Sequence, residues 1–178
     1  AQDLATQAVI DMKCYVNYYH KGTFKDQLVY KEQEVNVDLD LAHLKKLNAP
    51  IKLKIEKDGN QYLVTGSYYI PVDAFSSEKE PVKIEKTLAS LPASINTRVG
   101  TLSFTKNGNF KLKDGESLKA IIVSPDMAAS GYAKALAVSQ TSKTTTIAEL
   151  VLKDEDPQRS IDYLNTLIKV YNRQANED

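Results

Sequence analysis

The sequence predicts an α+β fold, a mixed or antiparallel sheet with helices packed on it, and three observations carry that prediction. Short runs of alternating apolar and polar residues recur through the first two thirds of the chain. Two turn dipeptides, Asp58–Gly59 and Asn107–Gly108, each sit between such runs. Toward the C-terminus, Ser124–Pro125 and Asp156–Pro157 each place a capping side chain before a proline at a first helical position.

Taken in order, residues 3–12 read as a short helix, because Leu4, Ala5, Ala8, Val9 and Met12 share one face. Lys13–His20 then reads as an aromatic strand, with Cys14, Val16 and Tyr18 on one side and Tyr15, Asn17 and Tyr19 on the other. Val35, Val37 and Leu39 alternate with polar residues, which predicts a half-exposed strand, and 41–48 reads as a helical turn. Ile51, Leu53 and Ile55 lead into Asp58–Gly59, and Tyr62 and Val64 resume the alternation, so a hairpin is expected there. Around Asn107–Gly108, Leu102 and Phe104 before it and Phe110 and Leu112 after it predict a second hairpin. Residues 76–81 read as a surface loop, Val82–Lys86 as a short strand, and Leu118–Val123 as a central strand.

Ser124–Pro125 opens a helix expected to reach about Lys134, and strands are expected at Leu136–Val138 and Thr145–Lys153. The last helix starts at Pro157 and runs to the end of the chain without a stop signal. Its stripe Ile161, Leu164, Leu167, Ile168 and Tyr171 is expected to dock it on the sheet, with Tyr163 and Val170 as a smaller second cluster.

Composition bounds the function. The 178 residues suffice for one domain with a core, and 23 basic against 23 acidic side chains leave no net charge to favour nucleic acid. A local basic patch could form around Lys106, Lys111, Lys113 and Lys119, although solvated strand faces explain those lysines more simply. The single cysteine, Cys14, excludes an internal disulfide and a cysteine-based zinc cluster. No stretch approaches the roughly 20 apolar residues of a membrane-spanning helix. The start has neither an initiator Met nor the basic and apolar blocks of a signal peptide, so an excised fragment is expected.

Chemistry-bearing patterns are sparse. The two histidines, His20 and His43, have no metal-ligand spacing and read as surface residues. There is no nucleophile elbow and no phosphate-cradling glycine loop, so ATP binding is not expected. Asp154, Glu155 and Asp156 could hold a hard cation, but helix capping by Asp156 accounts for them better. Tyr15, Tyr18, Tyr19, Tyr68 and Tyr69 could form a sugar-binding or protein-binding surface, though packing with a wet hydroxyl is the commoner use of strand tyrosines. No catalytic, cofactor-binding or metal-ligating residue is assigned, and no cofactor is expected.

The stretch Ser124–Asn172, SPDMAASGYAKALAVSQTSKTTTIAELVLKDEDPQRSIDYLNTLIKVYN, resembles the periplasmic domain of polysaccharide chain-length determinants. These are the Wzz/Wzc-type polysaccharide co-polymerases, and the similarity is greatest to those fused to a bacterial tyrosine autokinase. The matching features are the Ser-Pro helix, an L-x-V strand, S-K-T-T at Ser142–Thr145, Asp154, Asp156–Pro157, and L-N-T-L-I-x-x-Y-N from Leu164 to Asn172. LATQAVIDMKCYVNYYHKGTFKDQLVY resembles the entry after a first membrane segment, and LPASINTRVGTLSFT (Leu91–Thr105) a middle strand pair.

The resemblance implies a single periplasmic domain over 1–178, the soluble part of an inner-membrane protein, with 157–178 the start of a long helix leading into a helical arm. It implies control of capsular, exopolysaccharide or O-antigen chain length and export. Implied partners are other copies of the parent, the polymerase or export machinery, and glycan. Walker motifs and a tyrosine-rich tail are absent from this stretch, so any kinase activity would belong to a further domain of the parent. Two other readings stand beside it. An export-pump adaptor would show lipoyl-like half-motifs flanking a hairpin, and a small hydrolase would need a cleft of convergent titratable groups.

Overall fold

The computed structural model describes residues 3–108, 110–137, 151 and 153–177. The architecture is α+β, with nine strands in two antiparallel sheets and four helices among the described residues. The chain divides into two compact units, a β unit over Val16–Ser124 and a helical unit formed by Ala1–Tyr15 with Pro125–Asp178.

The β unit contains β1 (Val16–His20), β2 (Gln27–Val29) and β3 (Val35–Leu39), and a short helix, Leu41–Leu44, follows β3. The remaining strands are β4 (Ile51–Asp58), β5 (Gln61–Tyr68), β6 (Val82–Leu88), β7 (Ala93–Thr97), β8 (Gly100–Lys106) and β9 (Ser117–Ile122). Six of them form a sheet in the order β2-β1-β9-β4-β5-β6, and the other three form a sheet in the order β3-β8-β7. β9 pairs with both β1 and β4, which makes the apolar run at 118–122 the central strand its composition predicts.

Alternation decides which face is buried. Ile51, Leu53 and Ile55 of β4 are buried while Lys52 and Lys54 are exposed. Leu118, Ala120 and Ile122 of β9, and Val35, Val37, Leu39, Leu102 and Phe104 of the smaller sheet, complete the core. Tyr18 reaches from β1 to β3, where its hydroxyl accepts from Val37 N–H at 2.8 Å, so the aromatic ring is buried and its polar tip is satisfied.

The first hairpin forms as expected, but its two-residue loop is Gly59–Asn60, since Asp58 pairs with Gln61. Gly59 adopts φ +62°, the positive value that the first loop position of such a turn demands. Gly66 of β5 is required for another reason: a Cβ there would lie 2.1 Å from the Lys52 carbonyl oxygen of β4.

The second hairpin is not centred on Asn107–Gly108. β8 pairs instead with β7 through Thr97↔Gly100, and with β3 on its other side. Asn107 is held against the segment before β3, its N–H on the Glu34 carbonyl at 2.8 Å and its side chain on the Lys31 carbonyl at 3.0 Å. Both flanks of β8 are therefore already paired, and Phe110 and Leu112 lie in the connection to β9 rather than in a strand.

The helical unit comprises α1 (Leu4–Met12), α3 (Pro125–Ala137) and α4 (Pro157–Glu177), the helix at Leu41–Leu44 being α2. Asp3 caps α1 by accepting from Ala5 N–H, and Lys13 ends it in the left-handed region at φ 56°. The strand predicted from Lys13 therefore begins only at Val16. α1 packs on both α3 and α4. The Thr6 hydroxyl donates to Asp126 at 3.0 Å, and Arg173 meets Asp11 at 3.2 Å.

Three further expectations change here. α3 continues through Leu136 and Ala137, where a strand was expected; the Ala-rich sequence there favours helix, while Val138 lies outside the described residues. Of the strand expected over Thr145–Lys153, Val151 and Lys153 have helical backbone and the rest lies outside the described residues. α4 starts at Pro157 as read, but it docks through Ser160, Tyr163 and Val170, all essentially buried. Ile161, Ile168 and Tyr171 are exposed, and Leu164 and Leu167 are half-buried. Hydropathy alone chose the richer stripe, whereas the contact with α1 selected the face carrying the aromatic ring.

Candidate functional site

The helical unit contains a compact polar knot. Asp156 opens α4 by accepting from Gln158 N–H at 3.1 Å, so its role is the helix cap expected from the sequence. Asp154 instead receives Arg159 in a fork, Nη2 at 2.9 Å and Nε at 3.2 Å, together with the Ser160 hydroxyl at 2.6 Å. The Arg159 guanidinium also lies 6.0 Å from the centre of the Tyr132 ring, which stacks on Tyr163 with centroids 4.0 Å apart. Cys14 is buried beside this group, with the Tyr132 hydroxyl as a hydrogen-bond partner. Burial pushes its thiol up to about 11, against the opposing charge of Arg159, so it stays protonated at neutral pH. Burial likewise raises Tyr163 to about 12. This arrangement locks the start of α4; it does not generate a nucleophile.

The β unit has its own buried acid. Glu34 is 1% exposed, and its carboxylate accepts from Lys57 Nζ at 2.8 Å, Tyr62 Oη at 2.7 Å and Leu112 N–H at 3.0 Å. Burial works to raise its pKa, but the bonds from Lys57 and Tyr62, the Lys57 charge and the Leu112 N–H outweigh it and hold the carboxyl below its ordinary value. Three segments distant in sequence, the stretch before β3, the β4–β5 hairpin and the Leu112 connection that replaces the expected hairpin, are tied at one point. No sequence pattern marked Glu34 for this part, because its partners meet only in the fold.

The histidines part ways. His43 is exposed and its Nδ1 contacts Asp40, in keeping with a surface residue. His20 is only half-exposed, on the core-facing side of β1, and its Nε2 is buried without a hydrogen-bond partner. The surface reading of His20 is thus corrected: strand parity turns it inward with Val16 and Tyr18. Of the five tyrosines proposed as a surface, Tyr15, Tyr18 and Tyr68 are buried; Tyr69 is exposed and Tyr19 half-exposed. The set is not brought together as one patch.

What the outer face of the six-stranded sheet does present is a groove of about 510 Å³, lined by Tyr19, Lys21, Asp26, Lys54, Glu56, Gly115, Ser117 and Lys119. Lys119 pairs with Asp26 at 2.6 Å, and Lys54 approaches Glu56 at 3.7 Å. Lys119, one member of the basic patch considered from sequence, enters this groove; Lys106, Lys111 and Lys113 are exposed and do not line it.

Among the described residues, no three His, Cys, Asp or Glu side chains are grouped to hold a metal ion, and no helix is long and apolar enough to cross a membrane. In comparison with known proteins, the sequence matches no protein-family model and no curated protein.

Proposed function

We propose that this chain is a non-catalytic scaffolding domain of a membrane-anchored polysaccharide co-polymerase, located in the periplasm and acting in control of chain length and export. The sequence resemblance over Ser124–Asn172 suggests the family, and one structural observation supports an assembly role. Along α4, Ile161, Leu164, Ile168 and Tyr171 recur at spacings of three, four and three residues, the seam of a helix that meets another helix. Ile168 is 58% and Tyr171 59% exposed, although α4 already buries Tyr163 and Val170 on a different face. An apolar seam left open on a docked helix favours lateral contact between protomers.

The test uses the full-length parent in cells. Ile168→Asp combined with Tyr171→Asp should shift the length distribution of the exported polysaccharide while the protein accumulates normally. An unchanged distribution, with the protein present at its usual level, would overturn the assembly reading.

A further inference from the structure

We infer that the groove on the outer face of the six-stranded sheet binds an acidic glycan, a chain bearing uronic-acid carboxylates. The idea rests on the proposed role in polysaccharide assembly only for the source of the ligand. Its physical case comes from the groove.

Register sets the arrangement. Tyr19 of β1 is directly opposite Lys119 of β9, and Lys119 is directly opposite Lys54 of β4, so the three form one row across the outward face. Two like charges directly opposite on neighbouring strands repel, an arrangement that sheets ordinarily avoid. Asp26 and Glu56 relieve it in part, but both lysines remain at least half exposed. Such exposed ion pairs contribute little and exchange readily for another anion. Lys52 and Lys83 extend the basic character along the same face, in the neighbouring row Asn17, Ile121, Lys52, Ser67, Lys83.

The chemistry of the lining favours a sugar over a peptide or a lipid surface. Lysines meet carboxylates, while Asp26 and Glu56 can accept from ring hydroxyls and Ser117 can accept from or donate to them. Tyr19, at one end of the row, offers a half-exposed ring against which a pyranose can lie. No aliphatic side chain lines the groove to anchor an acyl chain or a peptide side chain. Neighbouring strands stand about 4.8 Å apart, so Lys119 and Lys54 rise from adjacent positions of this face and can meet one extended acidic chain together.

The test is calorimetric and NMR titration of the 178-residue chain with hexagalacturonate, maltohexaose and hexaglutamate. Hexagalacturonate should bind in a salt-dependent manner and shift the resonances of Tyr19, Lys54 and Lys119; maltohexaose and hexaglutamate should bind at least about tenfold more weakly. Lys54→Gln with Lys119→Gln should weaken hexagalacturonate about tenfold or more, through two lost charge-assisted contacts, with an unchanged melting temperature. Absence of hexagalacturonate binding, equal binding by the double variant, or equal binding of hexaglutamate would each overturn the inference. These outcomes are separate from the cellular test of α4: a groove that binds hexagalacturonate in a protein whose α4 variants leave polysaccharide length unchanged would keep the inference and remove the assembly reading.

Discussion

In the β unit, Glu34 gathers Lys57, Tyr62 and Leu112 from remote parts of the sequence, whereas in the helical unit Asp154 holds Arg159 and Ser160 from the adjoining turn. Both acids are buried and both are answered by a base. The difference lies in what each holds together. Glu34 closes a topology, because the long connection into β9 is anchored on it. Asp154 fixes only the first turn of α4, and the rest of that helix depends on packing against α1 and on the stack with Tyr132 of α3. Stability in the β unit should therefore respond to charge, and stability in the helical unit to apolar volume.

Tyr163→Ala should have the largest effect. Tyr163 is 1% exposed and stacked on Tyr132, so truncation removes a buried ring and leaves a cavity, at a cost of about 3–5 kcal/mol. Chemical denaturation followed by far-UV circular dichroism checks it, and a loss below about 1 kcal/mol would show that the packing of α4 does not depend on this ring.

Lys57→Met should cost about 3 kcal/mol, the low end for breaking a buried pair, because Lys57 keeps some contact with solvent while Glu34 does not. The same carboxylate predicts a pH dependence. Its folded pKa lies below the ordinary value of 4.5, so the stability it contributes is complete above that value and is lost as pH falls through the folded value. Denaturation midpoints should be level from pH 7 to about pH 5 and then fall. Glu34→Gln should flatten that fall without abolishing it, since Asp40 and Asp73 are also held below their ordinary values by local hydrogen bonds. An equally steep acid loss in the variant would remove Glu34 as its source.

The two units also differ in how much of them could be read from sequence. Strand alternation is a strict period of two, so Ile51, Leu53 and Ile55 announce their buried face, and a one-residue error would put lysines inside. The α+β class, the central strand at 118–122 and the first hairpin all follow from that constraint. A helix face is broader, and α4 carries two candidate stripes. The one richer in aliphatics drew the expectation, yet Ser160, Tyr163 and Val170 dock. Counting apolar residues cannot tell a face that packs within the domain from one that remains open. The Asn107–Gly108 turn failed for a related reason: turn chemistry is local, but the partners of β8 are decided by β3 and β7. The groove could be sensed only through Lys119 and Tyr19, because the register that aligns them with Lys54 belongs to the sheet.

Asp156→Ala should cost about 1 kcal/mol, the usual value of a lost helix cap. Gln158 N–H and Arg159 N–H lose their side-chain acceptor, while the Asp154–Arg159 fork is retained. A change in melting temperature much larger than that of an exposed control substitution on α4 would indicate that the cap and the Asp154 knot act as one unit.

The smallest effect on stability is expected on the opposite face of α4, and there it separates packing from assembly. Leu164 is half-buried, but Ile168 and Tyr171 already meet solvent, so Ile168→Asp with Tyr171→Asp desolvates no charge and opens no cavity in the isolated chain. Surface changes of this kind fall within about 0.5 kcal/mol of the starting protein. If the open seam serves contact between protomers, the same pair of substitutions should still weaken association of the full-length parent, because each places a carboxylate where an apolar side chain would be covered. The two measurements belong together: denaturation of the 178-residue chain and sedimentation, in detergent, of the membrane-anchored parent proposed above. A large loss of stability would mean that this face packs within the domain after all. Unchanged stability with unchanged sedimentation would leave α4 held by Tyr163 and Val170 alone, with its exposed stripe playing no part in assembly.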